Sequence, residues 1–166
     1  KIIDRLGTEG SKDGVWIYPI EYQKAMDRLK QAKGDTVIRL IVAANLVKGD
    51  PVLTELEMHP NRVVYQENEF VYQKIYNVPI DGSNSEMLIS DFLRNVNMTA
   101  INNGILPNPL TGTVGVINGN QIYAIEKALA ENRGKDVLIS AFAAADTEVL
   151  GPLRLHIYLK NETEQE

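Results

Sequence analysis

Val137-Leu138-Ile139-Ser140-Ala141-Phe142-Ala143-Ala144, a turn over Asp146 to Pro152, and Leu153-Arg154-Leu155-His156-Ile157-Tyr158-Leu159-Lys160 together decide the fold class. The first run is apolar at nearly every position and reads as a buried strand. The second alternates, with Leu153, Leu155, Ile157 and Leu159 on one side and Arg154, His156, Tyr158 and Lys160 on the other. That period of two is the mark of a strand with one covered face.

Upstream, Thr113 to Ile117 reads as a short strand. Asn118-Gly119-Asn120 then opens a helix on Ile122, Ile125 and Leu129, with Gly134 beyond its end. The segment 113–144 is expected to form one parallel, right-handed crossover. Earlier still, Ser83 and Glu86 have capping-box spacing ahead of the apolar stripe Leu88, Ile89, Phe92, Leu93 and Val96. That helix is expected to stop near Met98, in the Asn-rich stretch Asn95 to Asn103. The loop 104–112 holds Pro107 and Pro109, which bars regular pairing.

In the first half, Val15 to Tyr18 reads as a strand and 20–33 as a helix with Gly34 at its end. Thr36 to Ala44 is β-branched and apolar, so it is expected to be a central strand covered on both faces. A turn over Val47 to Pro51 leads to a half-buried strand from Val52, broken at Pro60, with His59 in the turn before it. Arg62 to Gln66 and Phe70 to Val78, joined by Glu67-Asn68-Glu69, read as a hairpin. Strand runs with three helices give an α+β class, a single domain with a mixed, mostly antiparallel sheet. Residues 1–14 read as a linker, 15–160 as the globular part, and the apolar-free 161–166 as an acidic disordered tail.

Composition narrows function more than motifs do. The chain has 166 residues, 44% hydrophobic and 23% charged, as a folded globular protein has. Its 17 basic against 22 acidic residues give a net charge of −5, which argues against a nucleic-acid partner. Without cysteine there is no disulfide, thiol nucleophile or Cys-bearing metal site. The two histidines, His59 and His156, have no ligand spacing, so no metal and no cofactor are expected. There is no Gly-x-Ser-x-Gly elbow, and the carboxylate pairs Glu55/Glu57 and Asp146/Glu148 read as exposed.

Two candidate sites remain. Tyr65, Phe70, Tyr72 and Tyr76 crowd into one hairpin, with Phe70, Tyr72, Lys74 and Tyr76 on one face, the mixture an interaction surface carries. The alternative for these aromatics is ordinary sheet packing. Asn118, Gly119 and Asn120 bring a strand to a helix N-terminus that would hold an anion or small ligand. The alternative there is an asparagine N-cap with Gly119 easing the turn.

The stretches 13–22, 42–52, 60–65 and 104–112, with Ala145-Asp146 and Gly151-Pro152-Leu153, resemble a C-terminal domain of unknown function in cyanobacterial membrane-anchored coiled-coil proteins. The resemblance covers most of 13–160 and rests on turns and strand ends, so it carries no functional residue across. The shorter stretch 42–54 is also similar to SAF-type beta-clip modules of pilus and flagellar assembly proteins, a small module that helix 84–97 does not fit. The first resemblance implies an upstream helical segment, a membrane anchor outside this chain, and a domain paired by the coiled coil. The expectation is a non-enzymatic interaction or scaffold domain. Its partner would be another protein or a second copy, as a homodimer, met through the Tyr65–Tyr76 hairpin or an edge strand. The alternative is a ligand-binding domain or enzyme with its site at 118–120.

Overall fold

The computed structural model describes residues 15–43 and 52–161. The linker 1–14, the turn 47–51 and the tail beyond Asn161 lie outside them. Three helices and mixed, mostly antiparallel sheets make one α+β domain, whose contacts gather into two compact units, Lys1–Asn61 and Arg62–Glu166.

The first unit holds β1 (Val15–Ile17), α1 (Pro19–Gln31), β2 (Thr36–Val42) and β3 (Val52–Pro60). Pro19 opens α1, where its missing N–H costs nothing, and the helix ends on an extended Ala32 before Gly34 is reached. The strand order is β1-β3-β2, with β1 parallel and β2 antiparallel to β3. The apolar run of β2 is therefore an edge strand, not a central one. Ile38, Leu40 and Val42 stand exposed in a row, opposite Met58, Leu56 and Thr54. His59 lies within β3, and Pro60 is the strand's last residue.

The second unit holds β4 (Val63–Tyr65), β5 (Phe70–Asn77), α2 (Ser85–Asn102), β6 (Gly115–Val116), α3 (Gly119–Glu131), β7 (Asp136–Ala143), β8 (Thr147–Glu148) and β9 (Leu153–Asn161). Its main sheet runs β5-β7-β9-β6. The core sits between the inner side of that sheet and helices α2 and α3, on Phe92, Ile105, Leu129, Ile139 and Leu153.

Several sequence expectations are corrected here. The hairpin over 62–78 does not form, because the 66–69 turn, with Asn68 at positive φ, sends β4 to β8 and β5 to β7. The parallel partner of β6 is β9 and not β7, since β9 takes the place beside β7 in antiparallel register. Asn84, in left-handed backbone and without a side-chain cap, stands at the N-cap of α2, while Ser83 N–H is turned onto Asp81. That helix also runs on through the Asn-rich stretch, where the side chains of Asn97 and of the C-cap Asn103 bond to groups outside the helix. Asn97 accepts from Val114 N–H at 2.8 Å, and Asn103 donates to the Tyr65 hydroxyl at 2.7 Å. Asn161, read as tail, is the last residue of β9.

Candidate functional site

The residues read as an aromatic face are divided by the fold. A bulge at Val71 interrupts the β5–β7 register. Phe70 therefore pairs with Phe142, on the opposite side of the sheet from Tyr72, Lys74 and Tyr76. Those three do share a face, but α2 covers it. The Tyr72 and Tyr76 rings lie 5.7 and 6.4 Å from that of Phe92. Tyr65 and Tyr76 are only 2% and 6% exposed, so both belong to the core.

Lys74 and Tyr76 converge on Asp91 of α2. Lys74 Nζ and the Tyr76 hydroxyl each donate to Asp91 Oδ2 at 2.8 Å, Arg94 donates to Oδ1 at 2.7 Å, and Asn95 donates at 3.2 Å. A hollow of about 600 Å³ between Lys74, Met87, Asp91 and Arg94 opens beside them. The Lys74 and Tyr76 hydrogen bonds hold the Asp91 carboxyl well below its usual range, while burial and then Asp91 itself push the Tyr76 hydroxyl up. An acid held ionised beside a phenol held neutral ties a strand to a helix. It is poorly placed for proton exchange at neutral pH.

At the second candidate, Asn118 is the N-cap of α3. Its Oδ1 accepts from Gln121 N–H at 2.9 Å, and Gln121 Oε1 accepts from Asn118 N–H at 3.1 Å, a reciprocal capping box. Gly119 does not have positive φ, and a Cβ there would meet nothing within 4 Å. Asn120 is exposed in the first turn. Gln121 also donates to Leu155 O at 2.7 Å, fastening the helix start to β9.

The outer side of the main sheet is the surface that reading by periodicity did not assemble. Phe70, Phe142 and Tyr158 form a row across β5, β7 and β9, with successive ring centroids 5.8 Å apart in edge-to-face packing. Phe70 is 48% and Tyr158 58% exposed. Arg154, His156 and Lys160 flank the row. The only carboxylate on these three strands, Asp136, accepts from Asn77. The chain's acidic balance is thus reversed here. Phe142 was hidden in a run that reads as covered on both faces. The outward parity of β9 was the available signal.

The same strand has a free edge. Leu153 N–H donates to Val114 O at 2.8 Å, and Ala144 N–H donates to Arg154 O at 2.9 Å. Odd residues of β9 therefore turn their backbone groups toward β6 and even residues toward β7. But β6 reaches only Leu153 and Arg154. From Ile157 onward the odd N–H and C=O groups have no strand opposite them among the described residues. A groove of about 180 Å³ follows this edge, between Gln121, Ala124 and Ile125 of α3 and His156 to Leu159 of β9.

Among the described residues no group of three or more His, Asp or Glu side chains is placed to hold a metal, and no helix is long and apolar enough to cross a membrane. His59 lies 3.4 Å from Glu57, and the His156 ring lies beside Tyr158. Comparison with known proteins finds no matching family model, no matching curated protein and no matching solved structure.

Proposed function

We propose that the chain is a non-enzymatic protein-interaction or scaffold domain that receives an extended partner segment along β9. The observation that carries this reading is the β9 edge, which has no strand beyond Arg154 among the described residues and is bordered by the α3 groove on one side and the aromatic row on the other. A strand edge supplies main-chain hydrogen bonds, and flanking hollows select alternate side chains. The sequence expectation of an edge strand is kept. The surface moves from the Tyr65–Tyr76 segment, whose two terminal tyrosines are core, to the Phe70–Phe142–Tyr158 side. The resemblance to domains at the end of membrane-anchored coiled coils agrees with a scaffold role in a larger protein.

Random peptides selected on the immobilised chain test this. Bound peptides are expected to slow amide hydrogen exchange at Ile157 and Leu159 and to bind more weakly to the Phe142→Ala variant. Peptides that protect another surface and bind Phe142→Ala unchanged would overturn the reading.

A further inference from the structure

We propose that the segment received by the β9 edge is acidic, with carboxylates opposite His156 and Lys160, on either side of the residue that meets Tyr158. This rests on the edge reading above and names the chemistry of its partner. Gln121 holds Leu155 O, so the open main-chain groups begin at Ile157, and a partner strand there continues the line of β6. Residues directly opposite each other in a sheet share a face, whichever way the partner runs. Partner residues opposite Ile157 and Leu159 therefore enter the groove beside Ala124 and Ile125, where apolar side chains fit. Partner residues opposite His156, Tyr158 and Lys160 lie on the outer side.

The outer side sets the charge of the partner. Arg154, His156, Tyr158 and Lys160 are all exposed there, and neither Arg154 nor Lys160 has an ion pair among the described residues. The carboxylate of that side, Asp136, accepts from Asn77 at 2.8 Å. A partner carboxylate opposite Lys160 meets its ammonium as a direct cross-strand pair. One opposite His156 reaches Arg154 along the diagonal, a span that long side chains cover. Between them, the residue opposite Tyr158 extends the row of Phe70, Phe142 and Tyr158 rings, so an aromatic side chain suits it. The motif is acid, apolar, aromatic, apolar, acid, which reads the same in either chain direction. A nucleic-acid strand fits worse. Phe142 stands at 72° to Phe70 and at 70° to Tyr158, so the rings turn edges to one another instead of a line of open faces for bases. Arg154 and Lys160, on a chain of net charge −5, also give a phosphate backbone little to follow.

A fluorescent synthetic peptide with the core glutamate–valine–tyrosine–valine–glutamate tests this on the full chain, beside a copy with lysine in place of both glutamates and a single-stranded oligothymidylate. The acidic peptide is expected to bind about tenfold more tightly than the lysine copy and to slow amide exchange at Ile157 and Leu159. Lys160→Glu, at an exposed position, should weaken the acidic peptide about threefold to tenfold and strengthen the lysine copy. A preference that Lys160→Glu and Arg154→Glu both leave unchanged overturns the inference. So does tighter binding of the oligonucleotide that is lost in Phe142→Ala. If the lysine copy binds equally well and protects Ile157 and Leu159, the edge reading stands and only the acidic partner fails. If neither peptide protects β9, the acidic partner fails as well, and if the selected random peptides also ignore β9, the edge reading fails with it.

Discussion

The Tyr76 hydroxyl donates to Asp91 Oδ2 at 2.8 Å, joining the inner side of β5 to α2 across fifteen residues of sequence. Lys74 reaches the same oxygen and also lies over the Tyr76 ring, 4.9 Å from its centroid. Tyr76, which the sequence offers as a surface contact, is thereby a clamp between two core elements. The exposed aromatic of the same strand, Phe70, lies on its other side, against Phe142.

The clamp predicts an acid dependence. Lys74 and Tyr76 lower the folded-state pKa of Asp91 below its ordinary 3.8. The stability this carboxylate contributes is therefore present above 3.8 and lost as pH falls through the lowered value. Asp91→Asn should reduce Tm at neutral pH, and the gap from the parent chain should close as the pH drops below 3.8. A gap constant with pH would show that the charge of Asp91 is not what matters.

Tyr76 predicts the opposite limb. Its folded-state pKa is raised above the ordinary 10.0, chiefly by burial, so its contribution is present below 10.0 and lost as pH rises through the raised value. Tyr76→Phe should cost on the order of 1–2 kcal/mol at neutral pH. It should also flatten the alkaline loss of stability. Urea unfolding at neutral pH and above 10.0 measures both. An unchanged alkaline limb would place that loss on other tyrosines, such as the buried Tyr65, whose pKa burial also raises.

The parts of this fold legible in the sequence are those where side-chain period and burial agree. The alternation of β9 holds residue by residue, and the stripe Ile89, Phe92 and Val96 is the buried side of α2. Periodicity failed where one residue or one partner resets it. The bulge at Val71 reverses the parity of Phe70 relative to Tyr72, and no composition signal marks it. The 62–78 segment carries every local mark of a hairpin. Yet strand partners are set by long-range pairing, and β7 and β8 outcompete the neighbour in sequence. The Asn-rich stretch reads as a helix stop because free asparagines favour turns. Here Asn97 and Asn103 spend their amides on Val114 and Tyr65 instead. The edge of β9 was visible only in part. Its outward residues are plain in sequence, but that β6 ends after Val116 is a fact of topology.

The start of α3 predicts opposite effects at adjacent residues. Asn118→Ala removes the side-chain half of the capping box, the bond from Gln121 N–H to Asn118 Oδ1, and should cost about 1 kcal/mol. Gly119→Ala should gain about 0.4–1 kcal/mol, because its φ is not positive, nothing stands within 4 Å of the new Cβ, and the unfolded chain loses freedom. Chemical denaturation of both variants decides the point. A loss at Gly119→Ala would mean that the glycine serves something other than the helix.

The two sides of the main sheet predict unequal costs for the same truncation. Phe92 is buried among Tyr72, Tyr76 and the α2 stripe, so Phe92→Ala should cost about 3–5 kcal/mol. Phe142 is half-buried on the outer side, touched edge-on by Phe70 and Tyr158, both themselves exposed. Neighbours and water can close over the space left by Phe142→Ala, so its cost should stay near the aromatic-pair contribution plus partial burial, about 1–2 kcal/mol. Equal losses at the two positions would mean that the outer row holds the fold together as the inner core does. The predicted inequality leaves three aromatic rings in line on a solvent face, contributing little to the isolated chain, and it is at a bound partner that their area would count.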